Sequence, residues 1–216
     1  PELRQKVVDY CEALWQSVGA QTSVKQYHAS GPERGAILDF IDYPLNNRWW
    51  LADEFDKIRQ MNSEAEKLAR LEVIRTWENP GPGSYYDNIS DLSKGPRVKT
   101  RTDDATDVAW WDSGMSRKRL STQLFQNFPV LEYSDLDPNG RYLLRVAGYG
   151  EALVRADGER LEPILYNKDL EEFKEFLINR KYVSDGKLVI TFDQPEESLL
   201  NWRQHSKVCE VWLLKQ

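Results

Sequence analysis

The sequence predicts an α+β protein in which an N-terminal helical segment, the end of a larger helical domain, is followed by an antiparallel β-sandwich. Three observations lead there. Apolar residues recur at spacings of three and four within residues 1–90, the signature of amphipathic helices. Beyond residue 130, short apolar runs are punctuated by turn residues about every ten positions, as in sandwiches and barrels. Between them lies a polar, charge-dense stretch. The expected organisation is a helical segment over 1–90, a linker or long loop over 91–107 and the sandwich over 108–216.

The elements follow in chain order. Leu3, Val7, Cys11, Leu14 and Val18 form one stripe on a helix over 2–18, and Gly19 stops it. A second helix is expected from Asn47 to Met61, with Trp50, Leu51, Phe55 and Ile58 on one side. Ser63 and Glu66 make a capping box ahead of Leu68, Leu71 and Ile74, so a third helix runs from Glu64 to Trp77. Asn79-Pro80-Gly81-Pro82-Gly83 ends it. The main strands are Tyr142–Tyr149, Lys187–Phe192 and Val208–Leu214, with shorter ones at 130–133, 151–155 and 161–165. Residues 170–178 suit helix by propensity and strand by the run from Phe173 to Ile178; the strand is preferred. Asp137-Pro138-Asn139-Gly140 is a tight turn into the Tyr142 strand, not a calcium loop, because the twelfth position from Asp135 is Val146 rather than Glu.

The 216 residues are 40% hydrophobic with eight Trp, ten Tyr and seven Phe, which is globular composition. No apolar run approaches the 18 or so residues of a membrane span. A net charge of −6 disfavours nucleic acid or an anionic membrane as partner. The chain begins Pro1-Glu2-Leu3 directly in helical periodicity, and is expected to be a piece of a longer protein. Cys11 and Cys209 are read as lone thiols packed as small hydrophobes. Nucleotide-loop, nucleophile-elbow and zinc-helix motifs are absent.

The densest polar-aromatic region is residues 27–50. Aromatic faces stack on sugar rings, while Asn, Arg and Asp bind hydroxyls and carboxylates. Glycoside hydrolysis needs two carboxylates roughly 5–10 Å apart, for which Glu33, Asp39 and Asp42 are the local candidates. Elimination needs a Tyr or His base and a cation or amide that neutralises the uronate. Tyr27, His28, Tyr43, Asn47 and Arg48 are therefore the candidate catalytic residues, with Asn46 beside them. Helix capping by Asn46 or Asn47 and core packing of Trp49 and Trp50 explain the same residues without a ligand. The candidate carbohydrate-binding aromatics are Trp49, Trp50, Tyr85, Tyr86, Trp110 and Trp111, with Trp202 as a further loop candidate. Gly81 to Asn88 reads either as an exposed turn lining a cleft, with Asp87 and Asn88 as cation ligands, or as a joining loop over packed Tyr. The acidic Asp103, Asp104 and Asp107 and the basic Arg117-Lys118-Arg119 are read as solvated faces. No cofactor and no metal are expected, with a structural cation left open.

The run from Leu136 to Val146, with Gly186–Phe192 and Val208–Leu214, resembles the galactose-binding-like or malectin-like β-sandwich, a jelly roll. Residues 21–25, the run Asp42–Trp49 and the run Trp77–Gly83 are similar to the C-terminal region of large bacterial proteins associated with polysaccharide breakdown. There the segment follows a helical, often toroidal, catalytic region. The resemblance implies the C-terminal part of a secreted or periplasmic polysaccharide lyase or glycoside hydrolase, its sandwich bracing the catalytic region or binding glycan. Its partners would be a polysaccharide or oligosaccharide and the remainder of its own parent chain. A non-catalytic binding module and a purely structural domain are the other readings. No catalytic residue is carried over from the resemblance.

Overall fold

The structure is a computed structural model that describes residues 6, 9, 13, 51, 54–89, 94–99, 106–109, 119–124, 128–166, 173–200 and 205–216, with the backbone alone at 106–109 and 119–123. The chain divides into two compact units, Pro1–Arg70 with Trp110–Arg119, and Leu71–Ala109 with Leu120–Gln216.

In the first unit, residues 54–60 are helical, as are the described positions 6, 9, 13 and 51. Of the expected stripe, Ile58 is buried, Leu51 is half-buried and Phe55 is exposed. Glu54 is buried too, and is held between Lys57 and Arg70. Helix α1 (Glu64–Arg75) starts where the capping box places it: Glu66 N–H reaches Ser63 Oγ at 3.4 Å, and Lys67 N–H reaches the Ser63 carbonyl at 3.0 Å. It ends two residues before the expected Trp77, because that indole is engaged on the sheet described below. No residue of α1 is buried; Leu68 and Leu71 of its expected apolar stripe are exposed, as is Val73, and Ile74 is half-buried.

The second unit is an antiparallel β-sandwich. The strands are β1 (Tyr85–Asn88), β2 (Thr106–Ala109), β3 (Arg119–Gln123), β4 (Leu131–Tyr133), β5 (Tyr142–Tyr149), β6 (Val154–Ala156), β7 (Glu159–Arg160), β8 (Pro163–Leu165), β9 (Lys174–Ile178), β10 (Leu188–Phe192) and β11 (Lys207–Lys215). One sheet runs β2-β3-β11-β5-β9-β8, with β1 also on β11; the other runs β4-β10-β6-β7. One edge of β11 is shared, β3 pairing at Lys207 and Val208 and β1 from Glu210 to Leu213. The fold class is thus as expected, and residues 174–178 are a strand.

Alternation places the core. Leu144, Val146, Phe176, Val211 and Leu213 of the first sheet meet Leu131, Val154, Leu188, Ile190 and Phe192 of the second. The central strands β5 and β11 are buried along nearly their whole length rather than on alternate residues. Both of their faces are covered, so they read as continuous apolar runs. The turn at 137–140 forms as expected: Asn139 N–H donates to Asp137 Oδ1 at 2.9 Å and Gly140 N–H to the Asp137 carbonyl at 2.9 Å. The strand expected at 151–155 starts later, at Val154. Gly150 at φ 74° turns the chain, and Glu151 N–H donates to Ser206 Oγ instead of to a ladder. Strands β1, β2, β3 and β7 have no counterpart among the expected elements.

Candidate functional site

Two positive-φ glycines, Gly81 and Gly83, turn the chain after α1 into β1. β1 is four residues long, and successive side chains point to opposite faces. Tyr85 packs toward the core, where Asp87 meets Arg97 and neighbours Tyr133, while Tyr86 joins a separate cluster with Trp212. The chain then returns beside β1. Asn88 N–H donates to the Lys94 carbonyl at 2.8 Å, and Val98 bridges to Leu131 of the other sheet. The segment 94–99 therefore links the two sheets at one end of the sandwich.

Arg97 is the centre of a polar cluster at this corner. Its guanidinium lies 4.4 Å from the centre of the Tyr85 ring and 5.8 Å from that of Tyr133, a stacked cation–π arrangement. Nη1 donates to both Asp87 oxygens at 3.2 and 3.3 Å and to the Tyr86 carbonyl at 3.4 Å. Arg97 N–H also donates to Asp87 Oδ1 at 3.2 Å. Asp87 is completely buried, and its burial raises the carboxyl above the ordinary aspartate range although Arg97 pulls the other way. The Tyr133 phenol is pushed well above its ordinary value by burial and then by the Asp87 charge, so it stays protonated.

The Asp87 shift has a defined pH signature. The folded protein holds that proton to higher pH than the unfolded chain does, so stability falls as pH rises from the unfolded value, about 3.9, to the raised folded one, and levels above it. Asp87→Asn is expected to lack this segment of slope in urea denaturation series run from about pH 4 upward. Parallel curves for the two proteins would mean that the carboxylate does not titrate high.

At this corner the residues Glu78, Asn79, Ser84, Tyr85, Tyr86, Lys94 and Arg97 border an open cleft of about 330 Å³, at the small end of ligand sites, which run from roughly 300 to 1,000 Å³. Lys94 Nζ pairs with Glu78 at 2.8 Å beside it. The arrangement brings two tyrosines, an amide, a hydroxyl, a carboxylate and two cations to one concavity.

The opposite face of the sheet carries an aromatic clamp. Glu210 on β11 is completely buried. It accepts Trp77 Nε1–H at 3.0 Å and Tyr86 O–H at 2.7 Å. Trp212 Nε1–H donates to the Trp77 carbonyl at 2.6 Å. Trp77 and Phe173 meet Trp212 edge-on, at 5.6 and 5.5 Å between ring centres, and Tyr86 lies 5.5 Å from it.

Of the sequence candidates, Tyr27, His28, Tyr43, Asn47, Arg48, Trp49, Trp50, Trp110, Trp111 and Trp202 lie outside the described residues, as do Glu33, Asp39, Asp42, Asn46, Asp103 and Asp104. Tyr85 and Tyr86 both border the cleft, and the Tyr86 side chain is also buried in the clamp. Asp87 and Asn88 do not converge on a cation: they are neighbours in a strand, and Asp87 is bound by Arg97. Among the described residues no three His, Cys, Asp or Glu side chains group as metal ligands, and no helix is long and apolar enough to cross a membrane. Arg97, Trp77 and Glu210 escaped the sequence reading. Trp77 was legible only as a helix residue and Glu210 only as a polar position inside an apolar strand.

The fold and this corner define an α+β protein whose β-sandwich carries a polar cleft at the start of β1. No family model matches the sequence, and no curated protein matches it. A crystal structure of the Bacillus subtilis protein YXIM overlaps 60% of this chain at 17% identity and a TM-score of 0.33, and this chain spans 34% of that one.

Proposed function

We propose that the chain is part of a secreted carbohydrate-active enzyme, a polysaccharide lyase or glycoside hydrolase, and that its galactose-binding-like sandwich holds glycan. The observation that carries this reading is the cleft of about 330 Å³ beside β1, where the Tyr85 ring, the Asn79 amide, the Ser84 hydroxyl and paired charges share one wall. Those are the groups that grip a sugar: an aromatic side chain for its C–H surface, and amides and charges for its hydroxyls. In calorimetric titration with a panel of neutral and uronic polysaccharides, the full chain is expected to bind at least one. Heats indistinguishable from dilution across the whole panel would end the reading.

The aromatic clamp favours a second reading, that the sandwich braces the helical part of its parent. Trp77 follows α1 by two residues and is tied to β11 through Glu210 and Trp212. Trp77→Ala is expected to lower the denaturation midpoint while glycan affinity at the cleft changes little. Loss of affinity without loss of stability would contradict the bracing role.

A further inference from the structure

We propose that the cleft at β1 takes a sugar that carries a carboxylate, with Arg97 as the group that receives it; this rests on the glycan-binding reading and names its ligand class. Nη1 of Arg97 is committed to Asp87 and the Tyr86 carbonyl. Among the described residues, Nε and Nη2 have no hydrogen-bond acceptor, and the side chain keeps 27% of its exposure while lining the cleft.

The guanidinium is also held still. Asp87 fixes one edge of the plane and the Tyr85 ring supports its face at 4.4 Å. A planar fork so oriented presents parallel N–H groups that match the two oxygens of a carboxylate, a geometry that a lone ammonium does not offer. Pre-positioning lowers the entropy that binding would otherwise cost. Lys94 adds a second positive charge to the same wall, although Glu78 partly offsets it. A neutral sugar would leave Nε and Nη2 without a charged acceptor, since Asp87 engages only Nη1, whereas a uronate supplies one. The sugar ring itself would have Tyr85 and Asn79 beside it, both on the cleft wall.

The test uses the full chain and four ligands in parallel: oligogalacturonate, its fully methyl-esterified form, neutral galacto-oligosaccharide and poly-glutamate. Oligogalacturonate is expected to bind, with the ester and the neutral sugar about tenfold or more weaker. Arg97→Lys keeps the positive charge beside Asp87 and removes the fork, and should weaken oligogalacturonate about tenfold. Lys94→Glu reverses a charge on the exposed wall and should weaken it similarly. Circular dichroism checks both variants, and if Arg97→Lys does not fold, Lys94→Glu decides. Equal binding of the ester or the neutral sugar overturns the carboxylate inference and leaves the glycan reading standing. Equal binding of poly-glutamate overturns it in favour of a general anion patch. Unchanged affinity in the folded variants overturns the assignment to this cleft, and no glycan binding at all removes both readings.

Discussion

Gly148→Ala is expected to unfold the sandwich or to cost more than about 4 kcal/mol, a loss of the kind reserved for a few specific mechanisms. The mechanism here is a backbone collision. Gly148 pairs with Val208 in the central β5–β11 ladder, and the register of β11 shifts just after it, between Val208 and Glu210. At that irregularity the Lys207 carbonyl oxygen lies 1.9 Å from where a Cβ on residue 148 would stand, and the Val208 Cα lies at 3.0 Å. Neither atom belongs to a side chain that can swing away. Relief would require β11 to separate from β5, and β11 also carries β1 and β3. Gly158→Ala is the control. Gly158 has a positive φ of 82° and nothing within 4 Å of its would-be Cβ, so it should lose only the strain of that conformation, about 1 kcal/mol. Urea denaturation of both variants measures the contrast. Similar small losses would mean that the two strands separate readily at this point.

Glu210→Ala is the second large effect, expected at about 3–5 kcal/mol. The substitution leaves the Trp77 indole N–H and the Tyr86 hydroxyl without their shared acceptor inside a cluster that also contains Trp212 and Phe173. Each buried donor left unpaired costs roughly 1–3 kcal/mol, and loss of the carboxylate bulk adds a cavity. Glu210→Gln retains a carbonyl at the same place and should lose about half as much or less. Near-ultraviolet circular dichroism and tryptophan fluorescence should report release of Trp77 in the Ala variant. A Gln variant as unstable as the Ala variant would show that the charge, not the acceptor, is what the site needs.

The contrast between elements explains what could be read from the sequence. Helix α1 begins at its capping box because the cap is local: Ser63 and Glu66 are three residues apart, and no distant contact decides them. The strands β5 and β11 were visible because central strands are continuous apolar runs, and β10 because its apolar run alternates between buried and more exposed positions. β1 was not, since Tyr85-Tyr86-Asp87-Asn88 has four residues, two of them poor strand formers, and becomes a strand only because β11 offers its edge. The same holds for β2 and β3, which lie in polar sequence.

The cleft and the clamp divide in the same way. Tyr85 and Tyr86 are adjacent aromatics that a sequence presents as one stacking platform. Strand alternation sends their rings to different clusters, Tyr85 against the sandwich core and Tyr86 against Trp212, although both residues border the cleft. Arg97 gained its place through a return loop, meeting Asp87 ten residues back. Glu210 meets Trp77 across 133 positions.

The sequence by itself determined the class: helices followed by an antiparallel sandwich, the capped start of α1, the turn before β5 and the apolar strands of the core. Those features depend on periodicity and on neighbours within a few residues. Only the tertiary structure decided the partners: that β1 completes the edge of β11, that a buried glutamate holds two aromatics from outside its strand, and that an arginine from a polar loop faces a cleft. Such choices belong to pairings between residues far apart in the chain, and their energies depend on burial that no local pattern encodes.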